Sequence, residues 1–192
     1  MKLRRSVRQF SNRPIPAEII ENCIKTAGTA PSGANMQPWH FYIISDQKTK
    51  KQIRIEAEQI EAEFYSKPAN QKWVDDIKAL GTNFSKPFLE DAPCLIAVFS
   101  KTYDISPDGT RIKHYYVKQS VGIAVGFLIA AIHNAHLACL TYTPASMDFL
   151  NKILNCPENE RPFMLIPVGY PAENCQVPNI KRKTFRQITG FF

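Results

Sequence analysis

The segment RRSVRQFSNRPIP, residues 4–16, places three arginines and a serine within five positions near the start of the chain. Guanidinium groups bind phosphate in a fixed, forked geometry, so this spacing indicates an anion site. A second basic segment, KRKTFR, occupies residues 181–186 near the other end. The two segments could meet in the fold and form one basic pocket. On spacing alone, however, a solvated basic tail explains the first segment equally well.

Two further segments have the composition of ligand-binding loops. In APSGANMQPWHF, residues 30–41, the small residues Ser32, Gly33 and Ala34 would let a ligand approach backbone N–H groups closely. In TYTP, residues 141–144, Thr141 and Thr143 are two positions apart, so their hydroxyls face the same side of an extended segment. Taken singly, each segment is better explained as an ordinary loop or strand end.

Several kinds of site are not indicated. His133 and His136 have no accompanying carboxylate cluster, so we expect no metal site. Ser-His-Asp, glycine-rich dinucleotide and H-E-x-x-H patterns are not found. The five cysteines are odd in number and form no C-x-x-C pair, which is typical of a reduced, intracellular chain.

The elements that must position these residues follow from length and hydrophobic pattern. With 192 residues, 44% of them hydrophobic, the chain predicts a single domain over residues 1–192. Helical patterns lie at residues 16–28, 48–64 and about 73–80, and short apolar strands at 40–46, 94–100, 137–146 and 163–171. This alternation predicts an α+β or α/β sandwich.

The run VGIAVGFLIAAI, residues 121–132, is too short to cross a bilayer. It predicts a helix that is apolar nearly all round and is therefore buried in a core or a subunit interface. The formal net charge of +7 favours anionic ligands. Nucleic acid is the weaker choice, because no zinc-finger or RNA-binding motif is apparent.

The order of RRSVRQFSNRPIP, TAGTAPSGANMQPWHF and the terminal basic segment resembles that of the nitroreductase-like flavoproteins. Within this family the chain is similar to the iodotyrosine deiodinase branch over nearly its whole length. Four further segments carry the resemblance: KWVDDIKALGTNFSKPFL, HYYVKQSVGIAVGFLIAA, TYTP and MLIPVGYP with the following VPNIKRK. The resemblance implies an α+β, nitroreductase-like FMN-binding fold, in an intertwined homodimer that holds its flavins at the subunit interface.

The resemblance also implies which residues bind FMN: Arg4, Arg5, Ser6, Arg8, Pro31, Ser32, Gly33, Thr141, Thr143 and Arg182. Arg4, Ser6 and Arg182 would bind the phosphate, and Arg8 the N1/O2 edge of the ring system. The catalytic groups would be Thr143, whose hydroxyl would lie at flavin N5 and permit one-electron steps, and the Ala34 N–H, which would donate to a substrate phenolate.

The branch is distinguished by Glu61, Tyr65 and Lys86, which by resemblance bind the amino-acid end of the substrate. Glu61 and Tyr65 are four positions apart, so they share one face of a helix. A carboxylate for an ammonium, a lysine for a carboxylate and a phenol to pack over the ligand together suit a zwitterion. The surrounding residues, about 59–89, would form a lid over the site. The segment SKPANQKW, residues 66–73, departs from the animal pattern.

We therefore expect FMN-dependent reductive dehalogenation of 3-halotyrosines, whether iodo-, bromo- or chloro-, to tyrosine and halide. The electrons would come from NAD(P)H or a reductase, in the cytoplasm of a bacterium, without membrane or nucleic acid as a partner. A general nitroreductase, or a quinone or flavin reductase, is the main alternative, since it shares the flavin contacts without needing the three substrate residues. A flavin-fragmenting enzyme and a colourless, basic nucleic-acid-binding protein are further alternatives.

Overall fold

The computed structural model describes residues 1–78 and 80–192, so position 79, within the expected lid, lies outside the described residues. Its strands are Trp39–Ile44 (β1), Cys94–Lys101 (β2), Tyr103–Ile105 (β3), Arg111–Lys113 (β4), Ala138–Cys139 (β5) and Glu160–Gly169 (β6). Its α-helices are Ala17–Gly28 (α1), Gln47–Ser66 (α2), Gln71–Lys78 (α3), Phe88–Asp91 (α4), Val117–Asn134 (α5), Phe149–Ile153 (α6) and Phe185–Ile188 (α7).

Four of the strands form one antiparallel sheet in the order β1-β2-β6-β5. Strand β2 lies inside the sheet, and seven of its eight residues are buried, as its unbroken apolar run predicts. Its side chains alternate between the two faces of the sheet. Ile96 and Val98 join the core beneath α1 and α5, whereas Leu95 and Phe99 join the core beneath α2 and α4. The sheet therefore separates two hydrophobic cores, and the α+β class expected from the sequence is confirmed.

Helix α5 is longer than the apolar run that predicts it, and it is buried on one side only. Val121, Val125 and Leu128 face the sheet, whereas Ile123 and Phe127 are 42% and 39% exposed on the outer side. By length and composition the helix would also suit a bilayer, a property that helices packed in protein cores share. A single copy of the chain thus leaves an apolar stripe of this helix uncovered.

The structure adds the short helices α4, α6 and α7 to those expected from the sequence, and it differs from the expected strands at two places. The turn-rich segment DISPDGTR is part of a small hairpin made by β3 and β4, which is too short and too exposed to have a clear strand pattern. The strand expected from Leu137 onward forms a regular ladder only over β5. Beyond it, Tyr142 continues the contact through two backbone hydrogen bonds with Leu165 on β6.

Candidate active site

The two basic segments meet, because the ends of the chain lie side by side. The Arg182 guanidinium donates to the carbonyl oxygens of Lys2 and Arg4, at 2.8 and 2.6 Å. The first segment is fixed in turn on the edge of β5, where the Val7 N–H donates to the Cys139 carbonyl at 3.2 Å. The result is a small cavity of about 140 Å³ lined by Arg4, Arg5, Ser6, Arg8, Leu80, Pro178, Ile180 and Arg182.

The four arginines of this cavity have no carboxylate within salt-bridge distance among the described residues. The cavity is therefore a concentration of uncompensated positive charge, which suits a dianion such as a phosphate group. Arg8 is partly buried, and burial lowers the pKa of its guanidinium while the nearby Tyr65 opposes that change. Arg8 thus connects the basic cavity with the residues on α2.

A second cavity, of about 570 Å³, adjoins the first and shares Arg8, Leu80 and Pro178 with it. One wall is the segment from Leu80 to Phe88, inside the expected lid, and the other includes residues 176–178. Space therefore continues from the basic cavity along the underside of this segment.

Glu61, Tyr65 and Lys86 come together behind this wall. Glu61 Oε2 and Lys86 Nζ are 3.2 Å apart, and the two side chains are only 6% and 2% exposed. Lys86 Nζ also contacts Thr82 Oγ1, at 3.5 Å, and the Asn83 carbonyl. Burial lowers the pKa of Lys86, and Glu61 opposes this change. The two charged groups neutralise each other and do not line the open cavity.

The Tyr65 hydroxyl is buried and makes no hydrogen bond of ordinary geometry with any residue that the structure describes. Burial and the nearby Glu61 raise the pKa of Tyr65, and the neighbouring Thr82 hydroxyl opposes this change. The Tyr65 ring lies 5.3 Å from Lys86 Nζ. A buried hydroxyl without a partner costs free energy unless a ligand supplies one, so Tyr65 has an unused donor at the site.

Glu58, which the sequence analysis does not include, fixes the position of Lys86. Its Oε1 accepts from the backbone N–H of Lys86 at 2.6 Å and from Ser85 Oγ at 3.1 Å. Its Oε2 pairs with Arg54 at 2.6 Å, and Arg54 binds Glu90 at 2.7 Å. The i,i+4 spacing of Arg54 and Glu58 predicts their ion pair from the sequence. Nothing in the sequence predicts the contact between Glu58 and Lys86.

Tyr142 is a second residue that the sequence analysis does not include. Its neighbours Thr141 and Thr143 are exposed, whereas Tyr142 is buried and turned to the opposite side. The Tyr142 hydroxyl donates to Glu61 Oε1 at 3.3 Å. The alternation that places both threonines on one side also predicts that Tyr142 faces the interior, although not which residue it meets.

The loop that includes Pro31, Ser32, Gly33 and Ala34 lies elsewhere in the chain. The Gly33 N–H donates to Ser120 Oγ on α5 at 3.3 Å, and a Cβ atom at Gly33 would lie 2.7 Å from the Tyr116 ring. Ala34 adopts a left-handed conformation, with φ 50° and ψ 26°, inside a 3-10 turn. Its N–H lies in the first turn, where helical N–H groups have no partner within the helix.

A single copy of the chain does not bring this loop to the other predicted site residues. The loop contacts the first turn of α5, on the α1 and α5 face of the sheet. Arg4 and Arg5 share a cavity with His133 and Asn134 at the far end of the same helix, roughly 20 Å away by helical rise. Glu61 reaches Tyr142, which belongs to the core on the opposite face. In one copy of the chain the predicted site residues therefore lie in two separate places.

A model of the nitroreductase family matches residues 1–170. The chain belongs to the nitroreductase family. Among curated proteins of the family, iodotyrosine deiodinase from Haliscomenobacter hydrossis is 58% identical over 183 residues, which are 95% of this chain and 82% of that protein. Iodotyrosine deiodinase from Nematostella vectensis is 47% identical, with 98% of this chain and 72% of that protein covered. These relatives confirm the resemblance inferred from the sequence.

Solved structures of the family agree with this placement. A crystal structure of oxidized iodotyrosine deiodinase bound to FMN and 3-iodo-L-tyrosine has a TM-score of 0.82 at 33% identity, covering 99% of this chain and 97% of that one. A BluB-like flavoprotein from Clostridium difficile has a TM-score of 0.71 at 25% identity, covering 98% and 95%. The nitroreductase-like fold is thus confirmed.

Proposed function

We propose that this protein is an FMN-dependent dehalogenase that reduces 3-iodotyrosine to tyrosine and iodide. The observation that carries the proposal is the meeting of Glu61, Tyr65 and Lys86 beside Arg8. The negative and the positive group match the ammonium and the carboxylate of an amino-acid substrate, and the unused phenolic donor can add a hydrogen bond to that carboxylate. The 58% identity to iodotyrosine deiodinase and the likeness to its complex with FMN and 3-iodo-L-tyrosine support the same reaction.

The residues present fit FMN. The cavity of about 140 Å³ has the size and charge for a phosphate group, with Ser6 as a hydroxyl donor beside the arginines. Thr141 and Thr143 are exposed on one side of the extended segment that follows β5, where an isoalloxazine ring can be contacted. FMN, when bound and reduced, supplies the two electrons that, with one proton, replace the carbon–iodine bond by carbon–hydrogen and release iodide.

The buried ion pair explains how the site would select a zwitterion. A ligand that carries an ammonium and a carboxylate can pair with Glu61 and Lys86 at once, so neither buried charge loses its partner. A nitroaromatic or a quinone offers no such replacement, and separating the pair for it would leave two buried charges unsatisfied. Since neither side chain lines the open cavity, the Leu80–Phe88 segment must move to admit the substrate, as a lid does.

The phenolate end of the substrate would be bound by the Ala34 N–H. Because the loop with Ala34 lies on the other face of the sheet, this contact must come from a second copy of the chain. The uncovered stripe of α5 supplies the surface: Ile123 and Phe127 are exposed, and a Cβ atom at Gly122 or Gly126 would meet nothing within 4 Å. We therefore propose a homodimer in which each active site takes its loop from one subunit and its arginines and lid from the other.

Several finer features belong to the same proposal. Bromo- and chlorotyrosines carry the same zwitterion and an acidic phenol, so they are expected as substrates. NAD(P)H or a separate reductase would reduce the flavin, and the protein would act in the cytoplasm.

The test is an anaerobic single turnover of the purified holoprotein. The bound flavin is reduced with dithionite, 3-iodotyrosine is added, and tyrosine is quantified while flavin reoxidation is followed by absorbance. The expected result is one tyrosine for each flavin reoxidised. If nitroaromatics reoxidise the flavin but iodotyrosine yields no tyrosine, the protein is a general nitroreductase and the proposal fails.

A further inference from the structure

Tyr142 lies between Thr141 and Thr143 and contacts Glu61 on helix α2 through its hydroxyl. We infer that Tyr142 is a positioning residue for recognition of the substrate ammonium, because its hydroxyl holds the Glu61 carboxylate in place when Lys86 turns to the substrate carboxylate. The inference rests on the proposed function and adds to it a residue outside the groups that contact substrate or FMN.

The geometry divides the Glu61 carboxylate between two partners. Oε2 pairs with Lys86 Nζ at 3.2 Å, and Oε1 accepts from the Tyr142 hydroxyl at 3.3 Å. When Lys86 leaves for the substrate, Oε2 becomes free for the ammonium while Oε1 remains bound. The bond is long for O–H···O and has room to shorten once Lys86 no longer competes for the carboxylate charge.

Tyr142 is well fixed for this task. Its backbone N–H donates to the Leu165 carbonyl at 2.9 Å, and its carbonyl accepts from the Leu165 N–H at 3.0 Å. Its ring packs edge-on against Phe88, with ring centroids 5.7 Å apart. Burial and the neighbouring Glu61 raise the pKa of Tyr142, so the phenol stays protonated and remains a donor. Helix α2 can therefore take its reference position from a residue that is bound to β6 rather than from the lid.

The extended segment around Tyr142 relates the two ligands to each other. Thr141 and Thr143 face outward, toward the proposed flavin, while Tyr142 between them faces inward to Glu61. A shift of this segment would move the flavin contacts and the ammonium partner together. Tyr142 thus fixes the distance between the amino-acid end of the substrate and the ring that reduces it.

The test compares two ligands that differ only in the ammonium group, 3-iodotyrosine and 3-(4-hydroxy-3-iodophenyl)propionate, in the FMN-bound protein. In Tyr142→Phe, the Kd of 3-iodotyrosine is expected to rise about tenfold, the effect of losing one hydrogen bond to a charged group. The Kd of the propionate and that of FMN should stay within twofold. In steady-state assays KM for 3-iodotyrosine should rise while kcat changes little.

The chain offers a matched control in Tyr42, another phenol that donates to a buried carboxylate, Glu160 Oε2, at 2.8 Å. Tyr42→Phe removes an equivalent bond away from the site and should leave the ratio of the two Kd values unchanged. Tyr142→Phe combined with Glu61→Gln should add no further loss to that of Glu61→Gln alone, since the hydroxyl acts through Glu61.

If Tyr142→Phe weakens the binding of both ligands equally, so that the ratio of their Kd values is unchanged, the inference is wrong. The inference is also wrong if the double variant binds 3-iodotyrosine more weakly than Glu61→Gln alone. Failure of the proposed function is a different result, because the unsubstituted holoprotein would then form no tyrosine from 3-iodotyrosine.

Discussion

Glu61 Oε2 and Lys86 Nζ form an ion pair at 3.2 Å in the protein interior, with side chains only 6% and 2% exposed. A buried pair is costly to break on one side, because the remaining charge keeps its desolvation cost without its partner. The pair therefore affects both the stability of the protein and the kind of ligand that can enter.

Removing one member of the pair should destabilise the protein strongly. Lys86→Met is expected to lower the free energy of unfolding by about 3–5 kcal/mol, and Lys86→Met with Glu61→Gln should recover most of that loss. Urea unfolding measures both. The exposed pair Lys67–Glu63, which is shorter at 2.7 Å, is the control, and Lys67→Met should cost less than about 1 kcal/mol. If the two lysine variants lose similar amounts of unfolding free energy, burial does not determine how much the Glu61–Lys86 pair contributes to stability.

The lowered pKa of Lys86 predicts how ligand affinity depends on pH. Burial places this pKa below the ordinary value of 10.5, with Glu61 opposing the change. As pH rises through the lowered value, Lys86 loses the charge that attracts a carboxylate. The affinity advantage of 3-iodotyrosine over 3-iodotyramine, which lacks the carboxylate, should therefore shrink below pH 10.5.

The stability of the protein changes with pH in the opposite direction to this affinity advantage. Because the folded protein releases the Lys86 proton more readily than the unfolded chain, the contribution of Lys86 to the free energy of unfolding rises with pH across the same range.

A ratio of the Kd values of 3-iodotyrosine and 3-iodotyramine that stays constant up to pH 10.5 would contradict the role of Lys86 as the carboxylate partner. Fluorescence titration at stepwise increasing pH provides the ratio.

Arg182 should contribute to FMN binding through the phosphate. Its guanidinium lies in the basic cavity and ties the two ends of the chain together. Arg182→Ala is expected to weaken FMN binding by roughly 10- to 100-fold, the range for a charged hydrogen bond. Riboflavin, which lacks the phosphate, should bind the variant and the original protein equally. Arg186→Ala, at an exposed position of α7, is the charge-matched control, and an equal effect there would indicate only general electrostatics.

The exposed stripe of α5 should be the dimer interface. Ile123 on this stripe is 42% exposed in one subunit, and Ile55 on α2 is 39% exposed, so the two isoleucines form a matched pair. Ile123→Lys is expected to produce monomers that bind FMN poorly, because each active site needs both copies. Ile55→Lys should remain a dimer with bound flavin. Analytical ultracentrifugation and flavin content give both readouts, and a dimeric, flavin-loaded Ile123→Lys protein would contradict the shared site.

Gly33 should be intolerant of any side chain, since a Cβ atom would lie 2.7 Å from the Tyr116 ring and 3.1 Å from the Tyr115 carbonyl oxygen. Gly33→Ala is expected to displace the loop and with it the Ala34 N–H, weakening 3-iodotyrosine binding severalfold. At Gly28 a Cβ atom would meet nothing within 4 Å, so Gly28→Ala should leave that affinity unchanged. Isothermal titration of both variants decides whether the loop position matters to the ligand.

The sequence by itself determined the α+β class, the main helices and strands, and the family. The unbroken apolar run of β2 and the apolar run of α5 can be buried only inside a protein, which is why the hydrophobic pattern located both elements. The candidate residues were also readable from the sequence, because arginine clusters and small-residue loops are chemical signals. The hairpin of β3 and β4 was not, since short exposed strands lack a hydrophobic pattern.

Only the tertiary structure decided which of these residues meet. Helix periodicity places Glu61 and Tyr65 on one face, but long-range packing puts Lys86 and Tyr142 against Glu61. The same packing puts the Gly33 loop on the other face of the sheet, at the opposite end of α5 from Arg4. Spacing along a chain reports local geometry, whereas the distance between segments depends on how the sheet and both cores are assembled.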